Sequence, residues 1–469
     1  MPPIRNLDKL NLWQLAKESV RGGEYDFTKL NIKTGIILLS IPMILEMIME
    51  SLFAVVDIFF VGRLGSDAIA TVGLTEAVIV IVYSIGVGIS MAATAIISRR
   101  FGEQNYKAAG SAAFQLLLFG GITSIVIGIL GWIYGEHILL LMGASEEVLA
   151  IGVPYTRIIF AGNSAIMLLF LINGAFRGAG QAHLAMRALW IANGFNIILD
   201  PIMIFGIGNF EGLGLVGAAW ATNIGRSIGV VYQLYHLLNG KNRLVIIREN
   251  LKLKWKTIYR ICLISFNGMG QFLIDSVAWI ALTRMVAEFG SVAVAGYTLS
   301  FRILMFSLMP AWGLSAAAAT LVGQNLGAGK IRRSEISVWI TARYNVIFLA
   351  LVTCIYLFFG RSIIGFFAEG KELQDIATAG LQVIVLGYIF FAVGMTMTQA
   401  FNGAGDTKTP MYINIGVFIV LEIPLAYLLS MSFGMGVMGV FITIAFSHSL
   451  HALVALWFFR RGKWKKVVV

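Results

Sequence analysis

The chain has 469 residues, of which 58% are hydrophobic and only 13% charged. A soluble globular protein carries about 25% charged residues, so this balance excludes a water-soluble fold and requires most of the chain to face lipid or other helices. The net charge of +11 invites a nucleic-acid reading, but the basic residues are scattered over many short connections, which is a topology signal and not a binding stripe.

Residues 1–34 are too charged for a cleavable signal peptide, whose apolar core comes early. Leu10, Leu12, Trp13, Leu15 and Ala16, set among Lys9, Lys17 and Arg21, pattern as an amphipathic helix lying on the membrane surface, with a soluble cap as the alternative. A helix needs about 20 apolar residues to cross hydrocarbon. Such runs fall at 35–62, 68–98, 111–133, 151–176, 185–208 and 215–238, then at 258–287, 293–322, 340–365, 377–401, 410–432 and 436–459. The polar connection 239–257, with Lys241, Arg243, Arg248, Lys252, Lys254 and Lys256, divides six spans from six. The expected fold is therefore an all-α integral membrane protein with twelve transmembrane helices in two pseudo-symmetric six-helix lobes. Its parts are an interfacial segment 1–34, an amino lobe 35–238, a cytoplasmic linker 239–257, a carboxy lobe 258–460 and a basic tail 461–469.

The two halves are copies of one sequence. At a constant offset of 225, Gly65 aligns with Gly290, Ser66 with Ser291, Gly88 with Gly313, Ser90 with Ser315 and Gly102 with Gly327. The register still holds where Phe176, Gly178, Ala179 and Gly180 face Phe401, Gly403, Ala404 and Gly405. An even number of spans per copy returns the chain to its starting side, so the copies share one orientation about an axis along the membrane normal. Arg99, Arg100, Lys107, Arg177, Arg187, Lys330, Arg332, Arg333 and Lys408 fall in one set of connections, together with the basic tail. Glu136, Glu146, Glu147, Glu211, Glu369, Glu372 and Asp375 fall in the other. Both termini are thereby expected in the cytoplasm.

Ionisable residues at membrane depth are costly and mark candidate sites. In the first span Glu46, Glu50 and Asp57 lie within about 40° of one another at about 100° per residue, so they share a stripe that must face the bundle interior or a water-filled cavity. Pro42 precedes them and is a bending point. In the fifth span Asn193, Asn196 and Asp200 share a face, and their oxygens suit a hard cation such as Na⁺ or a proton. The competing reading makes Asp200 a cap for a helix restarted at Pro201. In the seventh span Asn267, Gln271 and Asp275 form a third polar stripe, with Arg284 and Glu288 further along as a local ion pair. Glu422 stands alone beside Pro424, as a proton site or a hydrogen-bonded structural acid.

His448 and His451 lack a nearby carboxylate or cysteine to complete a metal site and read as structural. Cys262 and Cys354 lie in apolar runs and read as small buried hydrophobes. There is no phosphate-cradling loop and no nucleophile elbow or other catalytic constellation, so neither an enzyme nor direct ATP coupling is expected.

Pro42, the segment Asp57 to Gly65 ending in Gly62-Arg63-Leu64-Gly65, Gly178-Ala179-Gly180, Asn196 to Asp200-Pro201, and Gly403-Ala404-Gly405-Asp406 to Pro410 resemble the motifs of the multidrug and toxic compound extrusion (MATE) transporters. The resemblance covers essentially the whole chain. It implies cation coupling at Asp57, Asn196 and Asp200, with Thr222 as a sixth-span hydroxyl of that site and Pro42 as the bend of the first helix. Asp275 falls where the NorM-like branch carries a seventh-span glutamate. That branch's tenth-span acid is replaced by Phe391, which favours the amino lobe as the coupling site.

The expected function is a secondary active antiporter of the cytoplasmic membrane, exporting organic, cationic and amphipathic compounds in exchange for H⁺ or Na⁺. Glu46, Glu50, Gln271 and Asp275 would line the cleft. Small organic molecules and membrane lipid are the expected partners and a monomer the expected state, with no cofactor and no metal beyond Na⁺ at Asp57, Asn196 and Asp200. The rivals are a flippase of lipid-linked saccharides, whose anionic substrates would need a basic cavity, and a channel, which would need a continuous polar lining.

Overall fold

The computed structural model describes Leu7 and residues 10–469. Helix α1 (Leu12–Arg21) is started by a capping box, in which Gln14 donates its backbone N–H to the Asn11 side chain at 2.8 Å and Asn11 N–H is accepted by the Gln14 side chain at 3.1 Å. Leu12 and Trp13 stay exposed while Leu15 and Ser19 are buried; Leu10 precedes the helix and Lys9 lies outside the described residues.

The amino lobe comprises α2 (Ile32–Val61), α3 (Ser66–Gly102), α4 (Tyr106–Leu141), α5 (Glu146–Ala161), α6 (Asn163–Gly178), α7 (Ala182–Phe205) and α8 (Leu215–Leu238). A two-stranded turn, β1 (Gly206–Ile207) and β2 (Phe210–Glu211), joins the last two. The carboxy lobe comprises α9 (Trp255–Ala287), α10 (Ser291–Gly327), α11 (Ile331–Phe367), α12 (Lys371–Val385), α13 (Tyr388–Ala404), α14 (Lys408–Asn414), α15 (Ile423–Tyr427) and α16 (Val437–Arg461), with π-helical turns flanking α15 at Ile415–Glu422 and Leu428–Ser432.

The duplication is written into these boundaries. Helices α3, α4, α5 and α6 begin at residues 66, 106, 146 and 163, and α10, α11, α12 and α13 begin at 291, 331, 371 and 388, each 225 later. Among the described residues nine helical stretches are long and apolar enough to cross a membrane, and α12 with α13, bent by 57°, makes up to ten. Helices α2 and α8, at 30 and 24 residues, are long enough but lie outside that set. The count of twelve depends on including these two, which carry Glu46, Glu50, Asp57 and Arg226.

The lobes meet at the end of the bundle that holds the basic connections. There a Cβ on Gly102 would collide with the carbonyl oxygen of Gln324, and one on Gly327, its repeat partner, with that of Arg99. Thr320 donates to the carbonyl of Arg177 at 2.9 Å and Gln324 to that of Gly178 at 3.0 Å, adding polar bonds across the seam. Gly102→Val or Gly327→Val is expected to destabilise the protein by about 1–3 kcal/mol through overpacking, read as a lower unfolding temperature in detergent. Gly73→Val, where a Cβ meets open space, is the control; equal melting of all three would show that the close approach is dispensable.

Two connecting segments tie this end together. The stretch before α2 accepts from Arg187 at the carbonyls of Val20 and Arg21 (2.9 and 2.7 Å) and from Lys330 at the carbonyl of Thr28 (2.8 Å), linking the amino lobe to the carboxy lobe. The linker lies along the first turns of α4, where Asn250 donates to the carbonyl of Lys107 and Gln115 to that of Lys252. Toward the opposite end Leu52, Val55, Phe59, Ile280 and Phe306 are exposed.

Candidate functional site: the buried carboxylates of the two lobes

Helices α2, α7 and α8 bring the amino-lobe residues together. Asp200 sits inside α7, which runs on through Pro201 to Phe205, so Asp200 is not the cap of a restarted helix. Proline removes the rung to the carbonyl of Ile197. Asn196 donates to Asp200 Oδ1 at 3.2 Å and lies 3.3 Å from Thr222 Oγ1 on α8. Asp200 Oδ2, Asn196 Oδ1 and Asn193 Oδ1 are buried without a hydrogen-bond partner. Three orphan oxygens on one helix face are what a bound cation or a proton would satisfy. Among the described residues no cluster of three His, Cys, Asp or Glu side chains forms a metal site, so a cation held here would be shared between carboxylate, amide and hydroxyl oxygens, the ligand set of a hard ion. Asp57 is half-buried, within electrostatic range of Asp200, Glu76 and Arg226.

The other two acids of the α2 stripe already have cations. Glu46 is 2% exposed and its Oε1 accepts from Asn173 at 3.0 Å and from Arg177 at 3.4 Å; Asn173 in turn accepts from Gln233 at 2.6 Å. Glu50 accepts from Arg226 at 2.8 and 3.3 Å and from Asn193 at 3.1 Å. The structure thus places Glu46 and Glu50 in ion pairs, not as free acids of a cleft. Arg177, assigned from the sequence to a connection, closes α6 and reaches inward; Arg226 was missed altogether. Its signal was an arginine midway along an otherwise apolar span.

In the carboxy lobe Gln271 exchanges hydrogen bonds with Asn402 at 3.1 and 3.3 Å and donates to the carbonyl of Thr407 at 2.9 Å, which encloses it in the helix junction. Asp275, on α9, has an exposed side chain and accepts from Asn414 at 3.0 Å. Asn414 also contacts His451 Nε2 at 3.1 Å, and the His451 ring stacks on Phe418 at 5.2 Å. Glu422 is buried within electrostatic range of Asp275, so it is not isolated. Phe391 packs on the ring of His448 at 4.6 Å. Arg284 and Glu288 pair at 3.4 Å on the exposed surface, as expected. Pro42 lies within an unbroken α2, where it leaves the carbonyl of Leu38 without its rung.

Comparison with known proteins places these residues in a family context. The MatE family model matches the chain twice, over residues 42–202 and 269–428. The "Probable multidrug resistance protein NorM" of Thermotoga maritima is 27% identical over 93% of this chain and 94% of its own length. The "Multidrug export protein MepA" of Staphylococcus aureus is 26% identical over 92% and 94%. A MATE transporter crystallised in the straight conformation superposes with a TM-score of 0.89 at 25% identity, covering 95% of this chain and all of that one. The doubled match falls on the doubled fold, with the carboxylates of α2 and α7 inside its first copy: the chain belongs to the MatE family of multi-pass membrane transporters.

Proposed function

We propose that this protein is a secondary active antiporter that exports organic, cationic and amphipathic compounds in exchange for inward H⁺ or Na⁺. The observation that carries this reading is the Asn196, Asp200 and Thr222 cluster with its orphan oxygens beside Asp57, in a chain similar to proteins named for multidrug resistance and export. The twelve helices would span the cytoplasmic membrane in two lobes, 35–238 and 258–460, with both termini on the cytoplasmic side and the monomer as the working unit. On that orientation, the close helix packing at the basic end would close the cytoplasmic side.

Drug and ion compete for negative charge. Asp57, Asp200 and Asp275 attract a lipophilic cation, and a proton or Na⁺ at the Asn196 and Asp200 oxygens cancels part of that charge and lowers affinity for the drug. The missing rung at Pro42 gives α2 a place to bend as the site changes occupancy, and the lobes rock about the site. An anionic lipid-linked substrate fits less well, because Arg177 and the buried Arg226 are each committed to a glutamate.

The test is efflux of a fluorescent lipophilic cation from proteoliposomes, driven separately by a proton gradient and by a Na⁺ gradient. Efflux under at least one gradient, well above the no-gradient rate, is expected. Absence of efflux under both would end this reading.

A further inference from the structure

Arg226 stands midway along α8 and is 2% exposed, one of the largest fully buried side chains of the molecule. A guanidinium does not lose its proton in proteins, so this charge is permanent and needs a permanent partner. Glu50 supplies it in a bidentate pair at 2.8 and 3.3 Å, while Asn193 gives the same carboxylate a third bond at 3.1 Å. The ring of Phe53 lies 4.8 Å from the guanidinium carbon and closes one side.

The pair is continuous with the coupling cluster. Thr222, which touches Asn196, is one turn before Arg226 on α8, and Asn193, which touches Glu50, shares the α7 face of Asn196 and Asp200. The titratable and charged groups on the surrounding helices are Glu46, Glu50 and Asp57 on α2, Glu76 and Tyr83 on α3, Tyr155 on α5, Arg177 on α6 and Asp200 on α7, with Arg302 of α10 in electrostatic range of Glu76. Of the acids on α2 and α7 here, only Glu50 and Glu46 are paired with arginine.

We propose that Arg226 is the fixed counter-charge of the amino-lobe coupling site: it locks Glu50 into a permanent ion pair and leaves Asp57 and Asp200 as the exchangeable carboxylates. The inference rests on the antiport reading above. It makes Arg226 a positioning residue with an unusual failure mode. Without Glu50, the guanidinium becomes a tethered cation beside Asp57 and Asp200 and takes the place of the exchanged ion. Removing both partners returns the site to its original net charge.

Glu50→Gln is therefore expected to cut gradient-driven efflux of the fluorescent cation by at least about tenfold, and Glu50→Gln with Arg226→Gln to recover it to within about threefold of the parent. A double variant that melts like the parent yet is as inactive as Glu50→Gln overturns the proposal, and so does an active Glu50→Gln. Infrared difference spectra of the purified protein between about pH 4 and pH 9 give a readout that needs no transport. Asp57→Asn and Asp200→Asn are each expected to delete a protonated-carboxyl band, and Arg226→Lys, which keeps the charge, to leave the parental spectrum. A titrating band that Glu50→Asp shifts would show Glu50 exchanging protons and overturn the assignment. A parent inert under both gradients but with the expected bands would refute the antiport reading and leave the counter-charge standing.

Discussion

Asp200→Asn is expected to uncouple transport, bringing efflux in the presence of an ion gradient down to the rate without one. The substitution keeps the size of the side chain and leaves an oxygen to accept from Asn196, now 3.2 Å from Asp200 Oδ1, so the α7–α8 contact survives. What it removes is the charge that drug and ion share, together with the orphan Oδ2. Couplings of this kind are typically about 1–3 kcal/mol, roughly 5- to 150-fold in affinity, so the gradient-driven component falls by that order. Because coupling is reciprocal, drug affinity measured in detergent should also become insensitive to Na⁺ or to pH over the range where the parent responds. Thr222→Val, which deletes one uncharged contact at 3.3 Å, should weaken the ion dependence without abolishing it. An Asp200→Asn protein that still pumps against a gradient at the parental rate would place coupling elsewhere, with Asp275 the next carboxylate to change.

Legibility in the sequence followed the range of the interaction. The constant offset of 225 appeared in the sequence and returns in the starts of four helix pairs, because each repeat carries its own turn residues. The α7 face was readable because Asn193, Asn196 and Asp200 lie on one helix, where spacing alone sets direction. Residues 151–176 do fall within one span, Glu146–Gly178, but the interruptions inside spans were not readable: α5 ends at Ala161 and α6 starts at Asn163, and α12 and α13 meet at a 57° bend. Nothing local announces such a bend when both arms are apolar. Partners on other helices were also hidden. Glu50 finds Arg226 176 residues away and Glu46 finds Arg177 131 residues away, and only packing decides such pairs. Counting spans as apolar runs also passes over a lone arginine, and so Arg226 was lost.

The repeat makes a second strong prediction, because the same junction was built twice with different chemistry. At offset 225 Glu46 corresponds to Gln271 and Arg177 to Asn402. The structure pairs Glu46 with Arg177 and Gln271 with Asn402 in the same way, an ion pair in one lobe and an amide pair in the other. Glu46 is 2% exposed and the Arg177 side chain 17%, so removing one partner strands a buried charge. Glu46→Gln or Arg177→Asn alone is expected to destabilise by about 3–5 kcal/mol, seen as a large fall in the unfolding temperature. The double variant Glu46→Gln with Arg177→Asn transplants the carboxy-lobe pair and should recover most of that loss, since replacing both members of a buried ion pair is often close to neutral. Asn173, 3.0 Å from Glu46, keeps an oxygen to donate to in all three variants, whereas Ser90, 3.0 Å from Arg177, loses that donor wherever Arg177 is replaced. Thermal unfolding of the four proteins forms a complete cycle. If the double variant falls by the sum of the single losses, the two side chains act independently. The ion pair would then be doing something that its amide counterpart cannot.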